Sequence, residues 1–307
     1  MEYILRTKGV SKKYHSKWVL KQVDMNIARG DIYGFVGENG SGKTTIIRII
    51  TGLISANEGK VELFGVSEDS SEIGAARKRV GAIVESPSIY RNMSARENLE
   101  MQSTILGLKN EEKIKQVLSD VGLAYMYDDK KNAKNFSLGM RQRLGIAMAL
   151  LGDPEFIILD EPMNGLDPAV IVEIRELILK LNRERNITFL ISSHILTELS
   201  LVANKYGIIS HGSLIREISA EELEKESRPT TVIETNDVKA LWNIACAEFP
   251  KDDLTLLENG VSIVGRIDLN QLLGQILSKD IKILSVNCNK SNIESYYLSL
   301  MGGGNNA

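Results

Sequence analysis

A short apolar run, Asp31 to Val36 (DIYGFV), leads without a break into GENGSGKTT, Gly37 to Thr45, and then into the helix-like pattern KTTIIRIITGL. Strand, glycine-rich loop and helix in that order satisfy G-x-x-x-x-G-K-[ST] in the context that a chance match lacks. The glycines let backbone N–H groups curl around phosphate oxygens, and the helix behind them turns its positive end toward the negative charge. The cradle is therefore Gly37, Glu38, Asn39, Gly40, Ser41, Gly42, Lys43, Thr44 and Thr45. Lys43 is expected to reach the β and γ phosphates, and Thr44 to place its hydroxyl on Mg²⁺.

Further buried-strand patterns appear at VGAIVE from Val80, FIILD from Phe156, ITFLISS from Ile187 and YGIIS from Tyr206, with helical patterns between several of them. That spacing predicts a mostly parallel α/β core. Residues 89–152 read as an all-helical insertion, with a capping box at Ser94 to Glu97 and a second helix starting near Asn110. FIILDEP, Phe156 to Pro162, delivers two adjacent carboxylates at the carboxyl end of a strand, where ligands of open α/β sheets bind. Neighbours on a strand point opposite ways. Asp160 is thus expected to hold Mg²⁺ through water, and Glu161 to polarise an attacking water as general base.

Past residue 220 the pattern changes to strand TTVIET, helix VKALWNIACAEF, strands LTLLE and VSIVGR, helix LNQLLGQIL and strand IKILSVN. This is the split βαβ order of a ferredoxin-like unit over residues 221–301, with an Asn259-Gly260 hairpin, a last helix from about 292 to 301 and a disordered tail at 302–307. No cluster of catalytic or ligand-forming residues stands out in it. A net charge of -3 excludes a broad cationic surface, so nucleic acid is not an expected partner. The two cysteines, Cys246 and Cys288, lie far apart with no CxxC, which suggests neither zinc nor a disulfide framework. The opening lacks a secretory pattern, and the longest apolar stretches, such as Leu144 to Leu151, fall short of the roughly 20 residues of a membrane span. The expectation is a chain inside the cell.

From residue 1 to about 220 the motifs stand in the order seen in the ATP-binding subunits of ABC transporters, and the sequence resembles that family. FSLGMRQR, Phe136 to Arg143, resembles the LSGGQ signature in altered form: Ser137 and Gly139 stay, while Leu138 and Met140 replace a glycine and a glutamine. The resemblance implies that this segment binds the γ-phosphate held by an opposite subunit. NGLDP, Asn164 to Pro168, resembles the D-loop with Asp167; His194 resembles the switch histidine at the γ-phosphate; Tyr14 resembles the aromatic that stacks on adenine. Glu85 stands where most of the family has a glutamine that touches Mg²⁺ and water and borders the membrane subunit. An acid there, together with SLGMRQR and LDEPMNGLDP, resembles the branch handling bacitracin, lantibiotics and related antimicrobial peptides. It would add a third carboxylate near the metal of Asp160 and Glu161. The resemblance further implies ATP and Mg²⁺ as cofactors, a second ATP-binding subunit (a homodimer), a separate transmembrane permease, and a cytoplasmic place on the inner face of the membrane. A sensing complex, or an exporter of another substrate, is the alternative reading. His15 and His211 carry no assigned role.

Overall fold

Parallel strands covered on both faces must be apolar along their whole length. Ile32–Val36, Phe156–Asp160 and Thr188–Ser193 are buried at every position. They form the middle of a six-stranded sheet in the order Ser213–Ser219, Lys205–Ser210, Ile32–Val36, Thr188–Ser193, Phe156–Asp160, Val80–Ile83. All neighbours are parallel except the edge strand Ser213–Ser219, which is antiparallel to Lys205–Ser210. The computed structural model describes residues 2–108, 110–226, 229–289 and 296. These divide into two units between Ala220 and Glu221.

The first unit also holds an antiparallel sheet that the sequence patterns above do not announce, built from Tyr3–Tyr14, Lys17–Val23, Asn26–Ala28, Glu58–Leu63 and Val66–Ser67. Its long first strand shifts register between Val10 and Lys12 and again between Lys12 and Lys13 against one neighbour, and between Lys8 and Ser11 against another. Each shift breaks the two-residue alternation by which a strand is read. The helix Lys43–Ile50 packs with both sheets: Ile46, Ile47, Ile49 and Ile50 share one core with Leu20, Val23 and Met25 of the antiparallel sheet and with Phe35, Phe156 and Ile158 of the parallel one. Burying a side chain of this size contributes roughly 1.5–3 kcal/mol. The phosphate-loop helix is thus held at a fixed height over the sheet.

Side-chain caps start the three α-helices of the insertion. Ser94 and Glu97 close a reciprocal capping box on Ala95–Ile105, Asn110 accepts from the Lys113 amide to start Glu111–Asp120, and Ser137 accepts from the Met140 amide to start Leu138–Leu150. Each such cap is worth about 1 kcal/mol.

In the second unit four antiparallel strands run in the order Leu254–Leu256, Gly260–Val264, Thr230–Thr235, Ile283–Asn289. Helices Val238–Glu248 and Leu269–Ser278 supply Leu241, Ile244, Leu272 and Ile276 to a core shared with Ile233, Val261 and Ile263. The hairpin sits one residue earlier than Asn259-Gly260: the Leu257 amide donates to the Gly260 carbonyl, so Glu258 and Asn259 form the turn. Gly260 begins the strand, and a Cβ there would run into the Ile233 carbonyl of the neighbouring strand. Close approach, not a turn, demands the glycine. The expected tail at 302–307, and the expected helix at 292–301 apart from Tyr296, lie outside the described residues.

Three strands of the parallel sheet are tied at their amino ends by one carboxylate. Glu155 accepts from Arg29 Nη1 at 2.6 Å and from Arg79 Nε at 2.5 Å. The Arg79 hydrogen bond is the first cause that holds its carboxyl down at about 2, with Arg29 adding and partial burial opposing. A depressed carboxyl contributes stability above its unfolded value of 4.5, and that contribution fades as pH falls toward about 2. The side chain is 37% exposed, so screening keeps the amount small. Glu155→Gln is expected to lower the melting temperature at pH 7 by a margin that shrinks as the pH is taken down through this window, measured by calorimetry. A pH-independent deficit would assign the residue to packing instead.

Candidate active site

The phosphate loop leaves the sheet from the end of Ile32–Val36. Gly42 has φ 111, a left-handed value, and a Cβ there would lie 2.6 Å from Leu20 Cδ2. Only glycine combines that turn with that contact. No side chain caps the helix Lys43–Ile50, so its first amides remain available to an anion. Ser41 Oγ is buried without a hydrogen-bond partner, an arrangement that costs free energy unless a ligand oxygen meets it. Lys43 is 6% exposed; its Nζ donates to the carbonyls of Gly37 at 2.7 Å and Glu38 at 3.2 Å and lies 3.3 Å from Glu161 Oε1. One buried ammonium thus reaches both the loop and the acidic pair.

The acidic pair is ordered by a serine that the sequence patterns did not single out. Parallel pairing sets Asp160 opposite Ser192 and Val36 opposite Ser193. Ser192 Oγ donates to Asp160 Oδ1 at 2.5 Å and accepts from the Glu161 amide at 2.9 Å. Asp160 is 2% exposed. Glu161 has φ 49, a left-handed value that costs an acidic side chain about 1–3 kcal/mol. It reaches Lys43 through Oε1 and His194 Nδ1 through Oε2 at 2.8 Å. Glu198, four residues after His194, is the second residue missed: burial pushes its carboxyl up, His194 pulls it down and Glu161 raises it again. Ser192 was legible only through the register, and Glu198 only as a carboxylate four positions after His194, on the short helix Leu196–Leu199.

The other predicted residues take different places. Glu85, two residues past Val80–Ile83, has φ 64 and is ion-paired with Arg48 in the last turn of the phosphate-loop helix. The arginine and the left-handed turn engage it there, and no hydrogen bond or ion pair joins it to Asp160 or Glu161. Among the described residues no three His, Cys, Asp or Glu side chains form a metal cage. A hexacoordinate magnesium ion needs only one or two protein oxygens beside phosphates. Asp160, and the half-buried Thr44 on the first turn of the helix, are the groups able to do this. Tyr14 is 40% exposed at the end of its strand, in the hairpin whose Val19 and Leu20 border Gly42, with Lys12 Nζ 5.5 Å from its ring centre. Ser137 is an exposed N-cap, Leu138 is 43% exposed, Met140 donates its amide to Ser137, and Gly139 is buried against Val170. Asp167 is exposed at the N-cap of Pro168–Arg185. None of Tyr14, Ser137, Leu138, Gly139, Met140 and Asp167 is hydrogen-bonded to Lys43, Asp160, Glu161 or His194.

A mostly parallel sheet with a phosphate loop, an acidic pair, a histidine just past the neighbouring strand and a capped helical insertion defines a P-loop nucleoside triphosphatase. A family model described as "ABC transporter" matches residues 20–164. The bacitracin transport ATP-binding protein BcrA of Bacillus licheniformis is 39% identical over 99% of this chain and 99% of its own. The lantibiotic transport ATP-binding protein SrtF of Streptococcus pyogenes is 41% identical over 70% of this chain and 90% of its own. A solved dimeric ATP-binding cassette in a post-hydrolysis state with ADP and Pi is 25% identical, covers 70% of this chain and 98% of its own, and superposes with a TM-score of 0.63. The chain belongs to the ABC transporter family, as an ATP-binding and ATP-hydrolysing subunit.

Lys43→Ala removes the buried ammonium that reaches both the phosphate loop and Glu161 and is expected to reduce ATP turnover by about 10²–10³-fold. Ser192→Ala leaves Asp160 and the Glu161 amide without their shared partner and is expected to slow turnover by about 5–100-fold, the loss of two ordinary hydrogen bonds. Steady-state phosphate release measures both; wild-type rates in Lys43→Ala would remove the phosphate loop from the chemistry.

Proposed function

We propose that this chain drives the export of, or resistance to, antimicrobial peptides such as bacitracin or lantibiotics, by hydrolysing ATP beneath a separate transmembrane permease. The observation that carries this is the alignment to the bacitracin transport protein over 99% of both chains, because it extends past the nucleotide unit into residues 221 onward. No helix among the described residues is long and apolar enough to cross a membrane, which agrees with a permease on another chain and a peripheral place on the inner membrane face. Residues 1–220 form the ATP-binding domain with its helical part at 89–152, and residues 221–301 an accessory domain. The strand order of the second unit and its two helices support a ferredoxin-like reading of it.

In this reading two copies close face to face on two ATP molecules, each site using the phosphate loop of one chain and the Ser137–Met140 segment of the other. Tyr14 stacks on the base. Asp160, through water, and Thr44 would hold Mg²⁺, which would offset phosphate charge. Glu161, poised between Lys43 and His194, orients the attacking water and takes its proton, while Lys43 and His194 stabilise charge on the transferring phosphoryl group. The exposed Ser137 amide end and Asp167 face the partner. Glu85 sits at the border with the permease.

Glu161→Gln is expected to bind ATP but not split it, so that MgATP holds two copies together on gel filtration. A variant that stays monomeric at every ATP concentration would point to a different partner chain. Glu85→Gln keeps a carbonyl oxygen for Arg48 and is expected to retain hydrolysis within about tenfold, about 1.4 kcal/mol; Glu85→Ala is expected to do worse in both hydrolysis and transport. The deciding experiment is bacitracin and lantibiotic transport by vesicles carrying the purified complex. ATP hydrolysis stimulated by peptide without any transport would make the complex a sensor instead of an exporter.

A further inference from the structure

Lys12 lies two residues before Tyr14 on the strand Tyr3–Tyr14 and is half-buried, although a lysine ordinarily leaves its ammonium in water. The ammonium is held at two points. Nζ donates to the Ser55 carbonyl at 2.5 Å and stands 5.5 Å from the centre of the Tyr14 ring, over one face. Ser55 belongs to the segment that follows the phosphate-loop helix Lys43–Ile50, and that segment grips the strand on either side of Lys12. The Asn57 amide donates to the Ser11 carbonyl at 2.9 Å, and Asn57 Oδ1 accepts from the Lys13 amide at 2.9 Å. Against Lys17–Val23 the strand shifts register on both sides of Lys12, so sheet pairing alone does not set the direction of these side chains. The Tyr14 ring is thus fixed from behind by a cation that is itself fixed, while 40% of the residue stays open to solvent.

We propose that Lys12 is a positioning residue for the nucleotide base, acting through Tyr14. The inference rests on the reading above in which Tyr14 stacks on adenine. The faces of an aromatic ring are negative, and an ammonium over one of them is attracted to it. That attraction draws π-electron density toward Lys12 and leaves the opposite face less negative, which suits an electron-rich purine. It also takes from the exposed tyrosine the freedom that stacking would otherwise cost, so the platform is ordered before the nucleotide arrives. Lys12 does not need to touch ATP. Because stacking reads no base edge, its effect belongs to the base of any purine nucleotide and not to the phosphates.

The test is equilibrium binding of MgADP and of magnesium pyrophosphate to the full chain, by calorimetry, for wild type, Lys12→Met, Lys12→Arg, Tyr14→Ala and the double variant Lys12→Met/Tyr14→Ala. ADP carries the base and two phosphates, and pyrophosphate the phosphates alone. Tyr14→Ala is expected to weaken ADP binding by about 5-fold or more, the loss of one stacking contact. Lys12→Met keeps the length of the side chain without its charge and is expected to weaken ADP binding by about 2–5-fold, the range of an exposed cation–π contact. Pyrophosphate binding should not change, and Lys12→Arg should bind ADP as wild type does. In the Tyr14→Ala background Lys12→Met should add nothing. An equal loss for both ligands would assign Lys12 to the phosphates, and an equal loss with and without the Tyr14 ring would assign it to direct contact with the base. Either overturns the proposal, as does wild-type ADP binding in Lys12→Met when Tyr14→Ala is impaired. Wild-type ADP binding in Tyr14→Ala would instead strike the stacking reading, and the role of Lys12 with it.

Discussion

Everything at this site depends on the register of the parallel sheet. Backbone pairing sets Val36 beside Ser193 and Asp160 beside Ser192, which brings the start of the phosphate loop, the acidic pair and the histidine loop to one edge. A one-residue slip of Phe156–Asp160 would turn Asp160 to the opposite face and break both bonds of Ser192. The slip is opposed at both ends. Burial of every residue of three adjacent strands fixes the faces, and Glu155 ties the amino ends through Arg29 and Arg79. The fold thus meets the cost of its charged edge with apolar burial elsewhere.

How far the sequence disclosed this differs by element. The phosphate loop was legible because its chemistry requires glycines at fixed positions, and Gly42 shows the reason in its backbone and in its contact with Leu20. The helix starts at Ser94 and Asn110 were legible because caps act within four residues. The antiparallel sheet was not, since its register shifts erase the alternation, and neither was the partner of Glu85. Arg48 lies on another element, and no local pattern joins a residue after one strand to the last turn of a helix formed 37 residues earlier. The hairpin at Asn259 was read one residue late because the Asn-Gly pair signals a turn, whereas the glycine here serves the close approach to Ile233.

The electrostatics of the cluster follow from how few groups are shared among many contacts. Lys43 is nearly fully buried, and an unpaired ammonium there would be costly; loop carbonyls and Glu161 meet that requirement. Glu161 in turn stands between the ammonium of Lys43 and the imidazole of His194. Its left-handed backbone is what points it there, away from Asp160, although the two are adjacent in the chain. Two neighbouring carboxylates are thereby kept for two tasks: one is locked to Ser192 and buried, and the other is poised between a lysine and a histidine.

That division also explains why strain is tolerated at position 161. A relaxed extended conformation would continue the strand and send the side chain across the sheet face opposite Asp160, with neither Lys43 nor His194 in reach. The left-handed turn costs about 1–3 kcal/mol, a sum comparable with the net worth of the ion pair and hydrogen bonds it creates. Stability alone therefore gives little reason for it. The conformation is held from outside, by the Ser192 hydroxyl on the Glu161 amide and by the Asn164 amide on its carbonyl. Both hydrogen bonds act on the backbone, so the carboxylate is brought to Lys43 and His194 without being used by the bonds that place it.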